Sequence, residues 1–187
     1  QSVGLRRPGS IFEGDVVRVL HVATGDTLAM KRVEVNPRTG HASEILKDLA
    51  RSAGLVPHPA WLGLRAELCF LHEYTDRQNC ARARCCVLEE LADRSLEQDL
   101  VGRAVQQRPF EELLALWAQL LHGLQAFHAQ GCLHRDICPR NIFFKGADVK
   151  LGTPGLSSAP AAAGHYPGGE CAAYSADIFA LGLVFVE

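Results

Sequence analysis

The sequence holds little that would commit it to a membrane, a polyanion or an oxidising compartment. No run of about 18 apolar residues occurs, so no membrane-spanning helix is expected. There is no surplus of basic side chains: 19 Lys and Arg stand against 21 Asp and Glu, a formal net charge of −2. Nucleic-acid-binding domains carry a basic face and a high pI, so no nucleic-acid partner is expected. The seven cysteines, Cys69, Cys80, Cys85, Cys86, Cys132, Cys138 and Cys171, include no Cys-x-x-Cys pair, and the histidines do not fall at zinc-ligand spacings around them. Their odd number, and an opening stretch Gln1–Ser10 without an apolar core or an initial Met, speak against a secreted disulfide framework. Reduced, mostly buried thiols in a cytoplasmic or nuclear protein are the expectation. No internal repeat is visible.

What is present suits one globular domain. Hydrophobic residues make up 48% of the 187 and charged residues 21%. Short β-branched and apolar runs predict strands over Val16–Leu20, Thr27–Val35, Cys69–His72 and Cys85–Leu88, with Thr24-Gly25-Asp26 as a hairpin turn. Ser43–Ser52 fits a helix with Ile45, Leu46 and Leu49 on one face, and Arg77–Arg84 reads as a solvated polar loop. Phe110, Leu113, Leu114, Trp117, Leu120, Leu121, Leu124 and Phe127 follow helical spacing up to Gly131, which predicts a long core helix. Strands Ile142–Phe144 and Val149–Leu151, turned at Lys145-Gly146, come next. A Ser-, Ala-, Pro- and Gly-rich loop over Ser157–Gly169 leads to an apolar helix over Ala176–Glu187, with Asp177 near its start. A strand-rich first half and a helix-rich second half make an α+β layout.

The most informative string is His134-Arg135-Asp136-Ile-Cys138-Pro139-Arg140-Asn141, directly after the long helix and before a strand pair. Other segments stand in order around it: Leu28-Ala29-Met30-Lys31, Val87-Leu88-Glu89-Glu90-Leu91, Val149-Lys150-Leu151-Gly152 and Tyr174-Ser-Ala-Asp177-Ile-Phe-Ala-Leu-Gly182. Together they resemble the third-strand lysine, hinge, catalytic loop, metal-motif approach and F helix of the eukaryotic protein kinase superfamily. The wording of Asn141-Ile-Phe-Phe and of the Asp177 segment most resembles Wee-type and initiation-factor-2-alpha kinases.

The resemblance implies a two-lobed fold: an N-lobe over residues 1–90, an antiparallel sheet plus one helix, and a mainly helical C-lobe over 91–187. It also implies site residues. Lys31 would hold the α- and β-phosphates of ATP, pinned by Glu44; a shorter-spaced alignment puts Ala42 there instead. Asp136 would accept the substrate hydroxyl proton and Asn141 would bind Mg²⁺. Gly9 and Gly14 would bound the phosphate loop. Val16, Ala29 and Phe143 would sandwich the base, Glu89 and Leu91 would offer hinge backbone groups, and Leu88 would be the gatekeeper. Asp177 would buttress the His134-Arg135 backbone. In the family further helices follow this last helix, so the expectation is that either the native chain continues beyond Glu187 or the C-lobe is not a stable kinase fold.

The sequence departs from the pattern where charge is neutralised. Thr153-Pro154-Gly155 stands where Asp-Phe-Gly is usual, so a hydroxyl replaces the carboxylate that grips Mg²⁺. Cys138 replaces the catalytic-loop Lys. The Gly-rich loop reads Gly9-Ser10-Ile11-Phe12-Glu13-Gly14, with Ile11 in place of the middle glycine. Gly168-Gly169-Glu170 replaces Ala-Pro-Glu, in a short activation segment whose Ser157, Ser158 and Tyr166 are candidate phosphosites. The expectation is a catalytically impaired pseudokinase, a signalling module that works through protein partners, with ATP and Mg²⁺ bound weakly or not at all. The alternatives are an atypical active Ser/Thr protein kinase with Asn141 as sole Mg²⁺ ligand, and a fragment without independent function.

Overall fold

Thr24 and Gly25 reverse the chain between its first two long strands, and Gly25 does so at φ 78°, a value glycine reaches without a Cβ clash. The computed structural model describes residues 5–6, 16–35, 47, 50–51, 53–102, 108–154 and 169–186. It divides into two compact units, Gln1–Leu55 with Gly63–Leu91, and Val56–Leu62 with Ala92–Glu187.

The first unit is built on a five-stranded antiparallel sheet in the order β1-β2-β3-β5-β4. The strands are β1 (Leu5–Arg6), β2 (Val16–His21), β3 (Thr27–Val35), β4 (Phe70–Thr75) and β5 (Ala81–Glu90). Alternation sorts the side chains: Val17, Val19, Leu28, Met30, Cys86 and Leu88 form one buried cluster, with Leu68 and Phe70 against it.

The polar loop expected over Arg77–Arg84 is shorter, because Arg82 and Arg84 belong to β5. The turn closes on Asp76, whose carboxylate accepts the N–H groups of Gln78 and Cys80 at 2.9 Å each and pairs with Arg82 at 2.9 Å. Ala83 points inward between the two arginines. Arg84 pairs with Glu34, its cross-strand neighbour on β3, and lies 4.2 Å over the Tyr74 ring. Each strand arginine thus has an acidic partner, so a run that reads as solvated loop can pleat. Of the helix expected over Ser43–Ser52, Lys47, Ala50 and Arg51 are helical, as is Ala53; Glu44, Ile45, Leu46 and Leu49 lie outside the described residues.

The second unit carries β6 (Arg94–Ser95), α1 (Leu96–Gly102), α2 (Phe110–His128), a 3₁₀ turn at Pro139–Asn141, β7 (Ile142–Lys145), β8 (Asp148–Leu151) and α3 (Gly169–Val186). Its core joins Leu120 and Leu124 of α2 to Ile137, Ile142, Phe144, Val149, Leu151 and Leu181. α2 ends before Gly131, which takes φ 72°. Phe110, Leu114 and Leu121, expected in the core, are exposed; the apolar stripe of α2 is wider than the face its neighbours cover among the described residues. Where α2 is covered the fit is close: the Trp61 indole N–H donates to the Gly123 carbonyl at 2.9 Å, and a Cβ on Gly123 would meet the Ala60 Cβ at 2.9 Å.

α3 begins at Gly169, seven residues earlier than expected, so Asp177 sits in mid-helix. The good helix formers Ala172 and Ala173 carry the helix back through a stretch without apolar periodicity. Gly169 therefore leaves the expected loop, and Ser157, Ser158 and Tyr166 lie outside the described residues. A sheet-built unit and a mainly helical one give the two-lobed α+β fold that the motifs imply. Among the described residues no helix is long and apolar enough to cross a membrane.

Candidate active site

Backbone strain marks the centre of the second unit. Arg135 holds φ 62°, the left-handed region that a side-chain-bearing residue seldom adopts. It is kept there by Asp177, buried in α3: Oδ2 accepts the His134 N–H and Oδ1 the Arg135 N–H, both at 2.8 Å. His128, at the end of α2, adds a contact of 2.9 Å from Nε2 to Asp177 Oδ2. The wholly buried His134 ties the loop to β8: Nε2 donates to the Gly152 carbonyl at 3.1 Å, and Nδ1 accepts the Asp136 N–H at 3.3 Å. A carbonyl on one ring nitrogen and an N–H on the other select the neutral Nε2-protonated tautomer.

This frame presents Asp136 beside three neighbours. Asn141 donates through Nδ2 to the carbonyls of Asp136, at 2.9 Å, and Thr153, at 3.2 Å. The Cys138 thiol lies 3.7 Å from Asp136 Oδ1, and burial together with the Asp136 charge pushes its pKa up, so it stays protonated. Arg140 Nη2 lies 3.6 Å from the same oxygen; the Arg140 side chain is 67% exposed and that of Asp136 only 13%. Behind them Gly152 leaves no room: a Cβ there would stand 2.5 Å from Asn141 Oδ1 and 2.7 Å from Phe143 Cε2.

The structure therefore brings Asp136, Asn141, Phe143 and Thr153 together. The other expected site residues belong to the first unit. Val16 faces Lys31 across β2 and β3, and Ala29 and Lys31 of β3 face Glu89 and Val87 of β5. Val16, Ala29, Lys31 and the buried Glu89 share one face of the sheet, and Leu91 follows the end of β5. Leu88 is set across from Met30 in the opposite, core-facing cluster, so Val87 and not Leu88 is the residue beside Lys31. A one-residue step along a strand exchanges its faces. Gly9, Gly14 and Glu44 lie outside the described residues.

Reading by motif missed His128, Gly152 and Arg140. Two of these had a visible signal: Gly152 closes the Val149-Lys150-Leu151-Gly152 segment, and Arg140 is a cation four residues after Asp136.

Mg²⁺ does not fit this donor set. It prefers carboxylate and water oxygens in strict octahedral geometry. Here the carboxylate position holds the hydroxyl of the buried Thr153, and Asn141 Oδ1 abuts Gly152. Among the described residues no group of three or more His, Cys, Asp or Glu side chains could hold a metal ion.

A braced His-Arg-Asp loop, an Asn five residues on and a lysine-bearing antiparallel sheet define a protein kinase fold. The chain matches the protein kinase domain family over residues 9–172 and belongs to it. It is 34% identical over 161 residues to a putative cyclin-dependent kinase F-2 of Oryza sativa subsp. japonica, covering 82% of this chain and 47% of that protein. It is 29% identical over 150 residues to the interferon-induced, double-stranded RNA-activated protein kinase of Mus musculus, covering 78% of this chain and 28% of that one. A third relative, the eIF-2-alpha kinase GCN2 of Schizosaccharomyces pombe, is 31% identical over 83 residues, 44% of this chain and 5% of that protein. The matched stretch spans less than half the length of each.

Proposed function

We propose that the chain is a pseudokinase: a kinase-fold module that binds ATP weakly, transfers phosphoryl groups poorly, and acts by binding or allosterically adjusting a protein partner in the cytoplasm or nucleus. Its lobes are residues 1–90 and 91–187. The observation that carries the reading is Thr153, 4% exposed, in the place of the metal-binding carboxylate. Phosphoryl transfer depends on positioning and charge neutralisation, and removing one preorganised group costs roughly 10²–10³ in rate. What is retained, Asp136 on its braced loop and Lys31 beside Ala29, suits holding a nucleotide more than turning it over.

ATP-induced thermal shift and phosphate transfer to a generic protein substrate, each with and without Mg²⁺, test the reading. The expected result is a small shift, lost in Lys31→Ala, with no transfer above background. Mg²⁺-dependent transfer abolished by Asp136→Asn would establish an active Ser/Thr kinase instead. No shift under any condition would leave a scaffold without nucleotide binding.

A further inference from the structure

Two substitutions in the second unit change charge in opposite senses. Thr153 removes a negative group that would hold a divalent cation, and Cys138 removes a positive one. The structure adds a third feature. Arg140 leaves the 3₁₀ turn Pro139–Asn141 with its guanidinium 3.6 Å from Asp136 Oδ1. We infer that Arg140 takes the part of the missing metal, so that a nucleoside triphosphate is bound through its phosphates in Mg²⁺-free form. This rests on the nucleotide-binding reading above and specifies the form of the ligand.

Three features support it. The contact to Asp136 is longer than a charge-assisted hydrogen bond, and Arg140 is two-thirds exposed, so exchanging the carboxylate for a phosphate oxygen costs little. The guanidinium fork matches phosphate bidentately, whereas the Cys138 thiol beside it offers no charge. Replacing a carboxylate by Thr153 removes a repulsive group from the approach of an uncomplexed polyphosphate, which bears one more pair of negative charges than its Mg²⁺ complex.

Binding of ATP and of adenosine to the full chain, each in EDTA and in excess Mg²⁺, tests the inference in wild type, Arg140→Ala and Arg140→Lys. The expected result is ATP affinity in EDTA at least equal to that in Mg²⁺, about ten-fold weaker in Arg140→Ala and partly restored in Arg140→Lys, with adenosine affinity and melting temperature unchanged. ATP binding that requires Mg²⁺, or that is as tight in Arg140→Ala as in wild type, overturns this inference and leaves nucleotide binding intact. Failure of both ATP and adenosine to bind wild type overturns the nucleotide-binding reading, and this inference with it.

Discussion

Asp177 Oδ1 accepts the backbone N–H of Arg135 at 2.8 Å, although 42 residues separate the two in sequence. Its other oxygen serves His134 at the same distance. A carboxylate can take both N–H groups at once, and an amide can take only one. Asp177→Asn should therefore destabilise the second unit by about 1.5–3 kcal/mol, the worth of one hydrogen bond to a charged group, and Asp177→Ala by more. Chemical denaturation gives the values. Loss confined to the melting curve, with nucleotide binding untouched, would refute a bracing role for this residue in the site.

Asp99 makes the second unit's stability sensitive to acid. Its carboxyl is buried, and burial alone would raise its pKa; hydrogen bonds from Arg94 and Arg108 outweigh that and hold it below the ordinary carboxylate value. A group lowered in the folded state stabilises above its unfolded pKa, and the gain is lost as pH falls through the folded one. Asp99→Asn removes the charge that Arg94 and Arg108 share and leaves Arg108 with Glu112 as its acidic partner, so we expect a loss of about 1.5–3 kcal/mol at neutral pH. Its stability should also decline less steeply than wild type's below about pH 4, read by urea unfolding across a pH series.

Three glycines should respond differently to alanine. At Gly152 the new Cβ would meet Asn141 and Phe143 below 3.0 Å, and at Gly123 it would meet Ala60 at 2.9 Å. Both substitutions should cost about 1–3 kcal/mol. Gly182, in α3, has nothing within 4 Å of such an atom, so Gly182→Ala should stabilise by about 0.5–1 kcal/mol. Melting temperatures of the three variants decide it; equal shifts would refute the close packing around Gly152 and Gly123.

Thiol labelling should separate the cysteines. Cys80 is exposed in the β4–β5 turn, while Cys85 is buried and burial, aided by Cys69, pushes its pKa to about 11. Because the thiolate is the nucleophile, iodoacetamide near pH 8 should modify Cys80 well before Cys85, as followed by peptide mass spectrometry. Early modification of Cys85 in folded protein would contradict its place in β5.

Elements defined by their own residues were legible in the sequence: β2 and β3 around Thr24-Gly25-Asp26, β7 and β8 around Lys145-Gly146, and α2 up to Gly131. Those that depend on distant partners were not. β5 extends through Arg82 and Arg84 because Asp76 and Glu34 neutralise them, and neither pairing is visible along the strand itself. α1 is seven residues long, too short for a period to emerge, and is tied down by Asp99. The His134-Arg135-Asp136 loop was readable as a string because its residue types stand at fixed spacing directly after α2. That Val87 rather than Leu88 stands beside Lys31 was not legible, because strand register is a property of the pair and not of one strand.

The left-handed backbone of Arg135 also bears on the order in which the molecule assembles. The carboxylate that takes both neighbouring N–H groups arrives only with α3, so the loop gains this brace once a contact of long sequence separation has formed. Closing such a contact costs chain entropy before it returns any energy, which delays it relative to the local hairpins. The loop around Arg135 is thus a late-maturing element, and during synthesis on the ribosome it lacks its brace until Asp177 has emerged.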